Sequence, residues 1–160
     1  MSKLISKELR ANLCDEFLEK IEGQDDDFVV EMYKQYCGTA FDEKSISADY
    51  ILSVCSQEEA EKYGVFAKIK GGDVRELIGG KYVVNECSDM SFTAHGFSVS
   101  NITIGAGSTV DIEAFDNAIV FVFAYDTSEV NIITDGFARV SVRQYGDSVI
   151  IAQGQVTIKK

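Results

Sequence analysis

From Ser88 to Asp147 the chain reads, in consecutive blocks of ten, SDMSFTAHGF, SVSNITIGAG, STVDIEAFDN, AIVFVFAYDT, SEVNIITDGF and ARVSVRQYGD. The blocks align without a gap. The first position is always Ser or Ala. The third is Met90, Ser100, Val110, Val120, Val130 and Val140, and the fifth is Phe92, Ile102, Ile112, Val122, Ile132 and Val142. Odd positions are apolar or small and even positions mostly polar, so each block is a strand with one buried face. The small first residue and the Gly, Ala or Asp at the ninth mark a tight corner.

Ten extended residues span roughly 33 Å, too little to close a coil around branched side chains. Two blocks make a flattened coil and three a triangular one. In both, like residues stack about 4.8 Å apart along parallel sheets. An antiparallel meander with a turn every ten residues is the alternative. It does not require one residue type to recur at one place, so the solenoid is the preferred reading. Beyond Asp147 the register is expected to slip by one, turning Val149 and Ile151 inward, and Gln155 to Lys160 is expected to form a last, charged strand whose Lys159 and Lys160 blunt the end.

Toward the N-terminus the period changes. Leu9, Leu13, Phe17 and Ile21 recur at four-residue steps between a cap at Ser6 and a stop at Gly23. Phe28, Val29, Met32, Tyr33 and Tyr36 give a second helical face ending at Gly38. A third helix is expected from Ser45 or Ser47, through Tyr50, Ile51 and Val54 and on across Gln57 to Lys62, with Gly64 as its stop. Residues 65–70 alternate like a strand, and Gly71-Gly72 and Gly79-Gly80 mark turns. The expected fold is therefore α+β: a helical region, 1–64, capping one end of a β-solenoid of ten-residue repeats, 88–160, through a connecting strand and turns, 65–87.

Helices ahead of repeats of the form (S/A)-x-V-x-V-x-A-x-(D/G)-x, seen here in Ser108 to Asp147 behind Asp49-Tyr50-Ile51, resemble uncharacterised short-repeat proteins of Bacteroidetes bacteria and their phages and mobile elements. The resemblance implies a right-handed or flattened β-solenoid and a mobile-element origin. It implies no activity and no site residues.

Charge narrows the function classes. The net charge is −11, with ten Lys/Arg against seventeen Asp/Glu in residues 1–80 and five against nine in 81–160. Such a surface repels phosphate backbones and favours a basic partner or simple solubility. A helix-turn-helix over residues 27–37 and 47–55 would lack its basic recognition helix, since residues 46–56 hold no Lys or Arg. No direct nucleic-acid binding is expected. Met1 to Arg10 has no long apolar core, and the longest apolar run, Ala118 to Tyr125, is too short to span a bilayer. A cytoplasmic protein without membrane contact is expected.

Catalytic patterns are sparse. Cys14, Cys37, Cys55 and Cys87 form no C-x-x-C pair, and His95 is the single histidine. Reduced thiols, no metal, no cofactor and no catalytic residues are expected. His95 falls at an outward eighth position, as an exposed strand histidine would. No phosphate loop, Rossmann fingerprint or G-x-S-x-G is present. Asp116, Asp126 and Asp147 lie at corners, where a carboxylate either bonds its own turn or joins a ridge for Ca²⁺. The G-G-x-G-x-D pattern of calcium-binding solenoids is missing.

The outward positions carry more. In Ala118 to Thr127 they are Ile119, Phe121, Phe123 and Tyr125, so that strand is apolar on both sides. With twenty residues per coil, the blocks at 98, 118 and 138 share a face bearing Ile119, Phe121, Phe123, Tyr125, Arg139, Arg143 and Tyr145, and the opposite face bears Asp89, Asp111, Glu113, Glu129 and Asp135. Aromatics beside arginines are the composition of an interface centre. Either a protein partner or a second copy docks there, or the chain's own helices fold back over it. Two functions follow: a non-catalytic protein-protein interaction module, self-associating or partner-binding, or an acidic mimic of nucleic acid that blocks a basic channel on a host enzyme.

Overall fold

The computed structural model describes Val30, Glu31, Lys34 and residues 47–160. The expected helix over 6–22 and most of the second one lie outside the described residues; Val30, Glu31 and Lys34 are helical. Two short helices follow, α1 (Ala48–Val54) and α2 (Gln57–Lys62), then eleven strands. They are β1 (Val65–Ala67), β2 (Arg75–Glu76), β3 (Gly80–Asn85), β4 (Met90–Ala94), β5 (Val99–Ile104), β6 (Thr109–Ala114), β7 (Ile119–Ala124), β8 (Glu129–Thr134), β9 (Arg139–Gln144), β10 (Val149–Gln153) and β11 (Val156–Lys159).

Odd- and even-numbered strands build separate parallel sheets. The first has the order β1-β3-β5-β7-β9-β11 and the second β10-β8-β6-β4-β2. Val110 pairs with Val130 and Val120 with Val140, so one coil is twenty residues and the solenoid is the flattened, two-sheet kind. The meander is excluded by the parallel pairing. The coils begin before the ten-residue repeat becomes visible: β1 pairs with β3, and β2 with β4, in register with the later strands.

The odd positions supply the core. Met90, Phe92, Ile102, Ile104, Val110, Ile112, Val120, Val122, Val130, Ile132, Val140 and Val142 are buried between the sheets. First-position residues Ser108, Ala118, Ser128, Ala138 and Ser148 are buried at the corners, which explains why nothing larger occurs there. The ninth position is left-handed, with φ of 67° at Gly96, 59° at Asp116, 51° at Asp126, 68° at Gly136 and 63° at Gly146. Aspartate tolerates that region better than most side chains, and glycine freely. Ala106 breaks the column, and there the neighbouring Gly107 takes the positive φ, 69°, instead.

Two expectations are corrected. The third helix is two helices, because Ser56 opens a capping box: its side chain accepts the Glu59 N–H, and the Glu59 carboxylate accepts the Ser56 N–H in return. Those bonds hold the Glu59 carboxyl below its ordinary pKa. The register also does not slip after Asp147. Ile150 pairs with Val130 and turns inward, whereas Val149 and Ile151 are exposed. Ser148, held in the tight corner with its hydroxyl donating to Tyr145 O at 3.2 Å, keeps the phase.

Ser100 occupies a third position, paired with Val120, and its Oγ is buried without a hydrogen-bond partner. An unpaired buried hydroxyl costs about 1–3 kcal/mol. Ser100→Ala should therefore raise stability by on the order of 1 kcal/mol, read as a higher midpoint in chemical denaturation. A lower midpoint would mean that the hydroxyl is satisfied in solution.

Candidate interaction surface

Alternation along the strands sorts the charge. Among the described residues, the outward strand positions of the first sheet hold Lys81, Arg139, Arg143 and Lys159 and no Asp or Glu. The outward positions of the second sheet hold Glu76, Asp111, Glu113 and Glu129 and no Lys or Arg. Asp135 continues the acidic side just past β8, and Asp89 lies just ahead of β4. In a chain of net charge −11, the outward strand positions of the first sheet are thus free of acids among the described residues.

The seven residues singled out from the sequence separate into two groups. Tyr125 is buried at 7% exposure, its ring stacked on Tyr145 with centroids 4.5 Å apart. Tyr125 belongs to a cluster with Val30, Ile51, Ala60, Val65 and Val83, against which Phe123 and Tyr145 are half-buried. The helical region therefore covers this edge of the face, and Tyr125 is withdrawn from any external interface. Ile119 and Phe121 remain exposed at 37% and 38%, with Arg139 and Arg143 exposed beside them.

The exposed part extends around a corner that the sequence reading passed over. Phe97 and Phe137, both at tenth positions, are 85% and 74% exposed. They sit where the chain crosses from the second sheet to the first, next to Val99, Ile119 and Arg139 at the starts of β5, β7 and β9. Two coils separate the rings, about 9.6 Å at the usual strand spacing. The available signal was Phe in a corner column that otherwise holds Gly, Asn, Thr and Asp, all turn formers.

On the acidic side, a shallow groove of about 310 Å³ lies between Val74 and the outward side chains Ser91, Asp111, Asn131 and Ile133. Asn131 Nδ2 donates to Asp111 Oδ1 at 2.8 Å, one coil to the next. The corner aspartates differ in use: Asp116 accepts the Gly96 N–H of the preceding coil at 3.1 Å, and Asp135 accepts the Gly136 N–H of its own corner at 2.7 Å. His95 is exposed, and its Nε2 lies 2.9 Å from Glu76 Oε1. Cys87 is buried with its Sγ against the Ile69 N–H and Asn85 O, and burial pushes its thiol pKa up, away from a reactive thiolate. Among the described residues no three His, Cys, Asp or Glu side chains gather into a metal-binding group, and no helix is long and apolar enough to cross a membrane.

No protein-family model, no curated protein and no solved structure matches the chain.

Proposed function

We propose that this chain is a non-catalytic protein-interaction module that docks an acidic partner protein on the free half of the first sheet's outward face and on the corner beside it. The sorting of charge carries the reading. Exposed Ile119, Phe121, Phe97 and Phe137 supply apolar anchors, and Arg139, Arg143 and Lys81 belong to the one charge sign present, among the described residues, at the outward strand positions of the first sheet. An apolar patch of ~300–400 Å² is of the size that, on a monomer, is often functional. Aromatic and arginine anchors are those that dominate binding energy.

A second reading rests on the other face. Asp111 and Glu113, two residues apart on one strand, stand about 7 Å from each other, a spacing suited to imitating a phosphate backbone toward a basic enzyme channel. Selection from a displayed peptide library separates the two. Docking on the aromatic face should enrich acidic peptides with apolar residues. Phe97→Ser with Phe121→Ser should weaken the selected peptides at least ~10-fold, the effect of losing one or two interface anchors, with the circular dichroism spectrum unchanged. Enrichment of basic peptides, indifferent to that double substitution and strongly weakened by salt, would overturn the first reading in favour of the second.

A further inference from the structure

The two ends of the solenoid are finished differently. At the N-terminal end Phe66 and Leu77 are buried. The Arg75 guanidinium lies over the Phe66 ring, 5.2 Å from its centroid, and is tied to Glu61 of α2 at 3.4 Å. At the other end, none of the described residues covers the core columns. Ile150 and Ala152 are in register with Val130 and Ile132, and Val156 and Ile158 with Val140 and Val142. Val130, Ile132, Val140 and Val142 are buried, yet Ala152 is exposed, Ile158 is 43% exposed, and Ile150 and Val156 are only half-buried. β10 and β11 are the outermost strands of their sheets, so each has one ladder unfilled.

From this we infer that the chain forms a two-fold dimer, end to end, in which β11 of one copy pairs antiparallel with β10 of the other. A second copy is the occupant that fits, for three reasons. Its own end presents the same four inward aliphatic side chains at the same sheet separation, so the two cores become one. Antiparallel pairing that keeps inward residues together sets Ile158 opposite Ile150 of the other copy, and Val156 opposite Ala152. The same pairing brings Lys159 and Lys160 to the start of the partner's β10, beside the partner's Asp147 and Glu129, and runs each basic sheet into the other's acidic sheet. Pairing β11 with β11 would instead join like-charged faces. Because the N-terminal end is plugged, the contact is isologous and closes at two copies rather than growing into a filament.

The experiment uses the 160-residue chain. Light scattering should give twice the 17.6 kDa chain mass. Ile158→Glu with Ala152→Glu, at positions already open to solvent, should give the single mass with an unchanged circular dichroism spectrum, whereas Phe97→Ser with Phe121→Ser should stay dimeric. As a second measurement, Thr157→Cys with Ile151→Cys places two thiols on opposite outer faces within one copy but opposite each other between copies. Oxidation should yield a covalent dimer that neither single substitution gives. A monomeric wild type, a dimer untouched by the glutamates, or cross-linking by Thr157→Cys alone would each overturn the proposal.

Discussion

Val130→Asp should unfold the solenoid. Val130 is 1% exposed and stands in the middle of an inward column, paired with Val110 on one side and Ile150 on the other. The column above and below is aliphatic, and Val130 belongs to the apolar core cluster between the two sheets. Losing the buried side chain costs about 1.5 kcal/mol or more. Desolvating an unpaired carboxylate adds several kcal/mol. Together these rival the whole stability of a typical domain, about 5–15 kcal/mol. The coil position matters as much as the chemistry. In a solenoid each coil is stabilised by its neighbours, and an interior break removes two interfaces at once. Circular dichroism should lose its strand signal, and chemical denaturation should show no native baseline. Glu129→Asp, one residue away and outward, should change stability by less than about 0.5 kcal/mol. A folded Val130→Asp with a wild-type midpoint would mean that this side chain does not face the core.

The same column shows how far the sequence could be read. Recurrence of one residue type every ten positions required stacked parallel strands, and alternation required two faces; both are seen from Met90 to Gln144. The phase failed where alternation stopped carrying information. Val149, Ile150, Ile151 and Ala152 are consecutive apolar residues, so both parities look inward. The corner column decides between them, because Ser148 is the small residue the turn admits. The first coil was missed for a related reason. β2 is two residues long and Gly71-Gly72 interrupts the block, so the period is lost although the pairing is kept.

On the candidate surface, alternation correctly turned Ile119, Phe121, Phe123 and Tyr125 to one side, and the twenty-residue coil correctly set Tyr145 beside Tyr125. What strand periodicity does not contain is the non-local contact of Val30, Ile51 and Ala60 with that side. Helical amphipathicity announces that a helix buries a face, not which face it buries it against. The corner phenylalanines were lost for the opposite reason. Turn columns are read for backbone conformation, and a large apolar residue there is informative only once the corner is known to be exposed.

Phe92→Ala should be the costliest truncation near the N-terminal end. Phe92 heads the large side chains that are fully buried, and its ring meets Phe66 edge-on, 5.4 Å between centroids with planes at 68°. Phe66 in turn carries the Arg75 guanidinium, which Glu61 holds. Removing a buried phenyl costs about 3–5 kcal/mol, and the edge-to-face pair accounts for about 0.5–1.5 kcal/mol beyond area. For a chain of this size the thermal midpoint should fall by on the order of 10 °C. Phe92→Leu, which nearly keeps the volume, should cost much less, and Glu61→Gln less than about 1 kcal/mol, because that ion pair is partly exposed. The pattern of loosening separates two kinds of solenoid. If the coils unfold as one unit, amide exchange should accelerate equally in β4 and in β9. If they behave as a one-dimensional array, exchange should accelerate in β1 to β4 and leave β7 to β9 protected. Contacts from the helical region to both β1 and Tyr125 bridge the first coils to the fourth, so the single-unit outcome is the expected one. Protection that persisted in β7 to β9 would show that the helices do not couple the coils they touch.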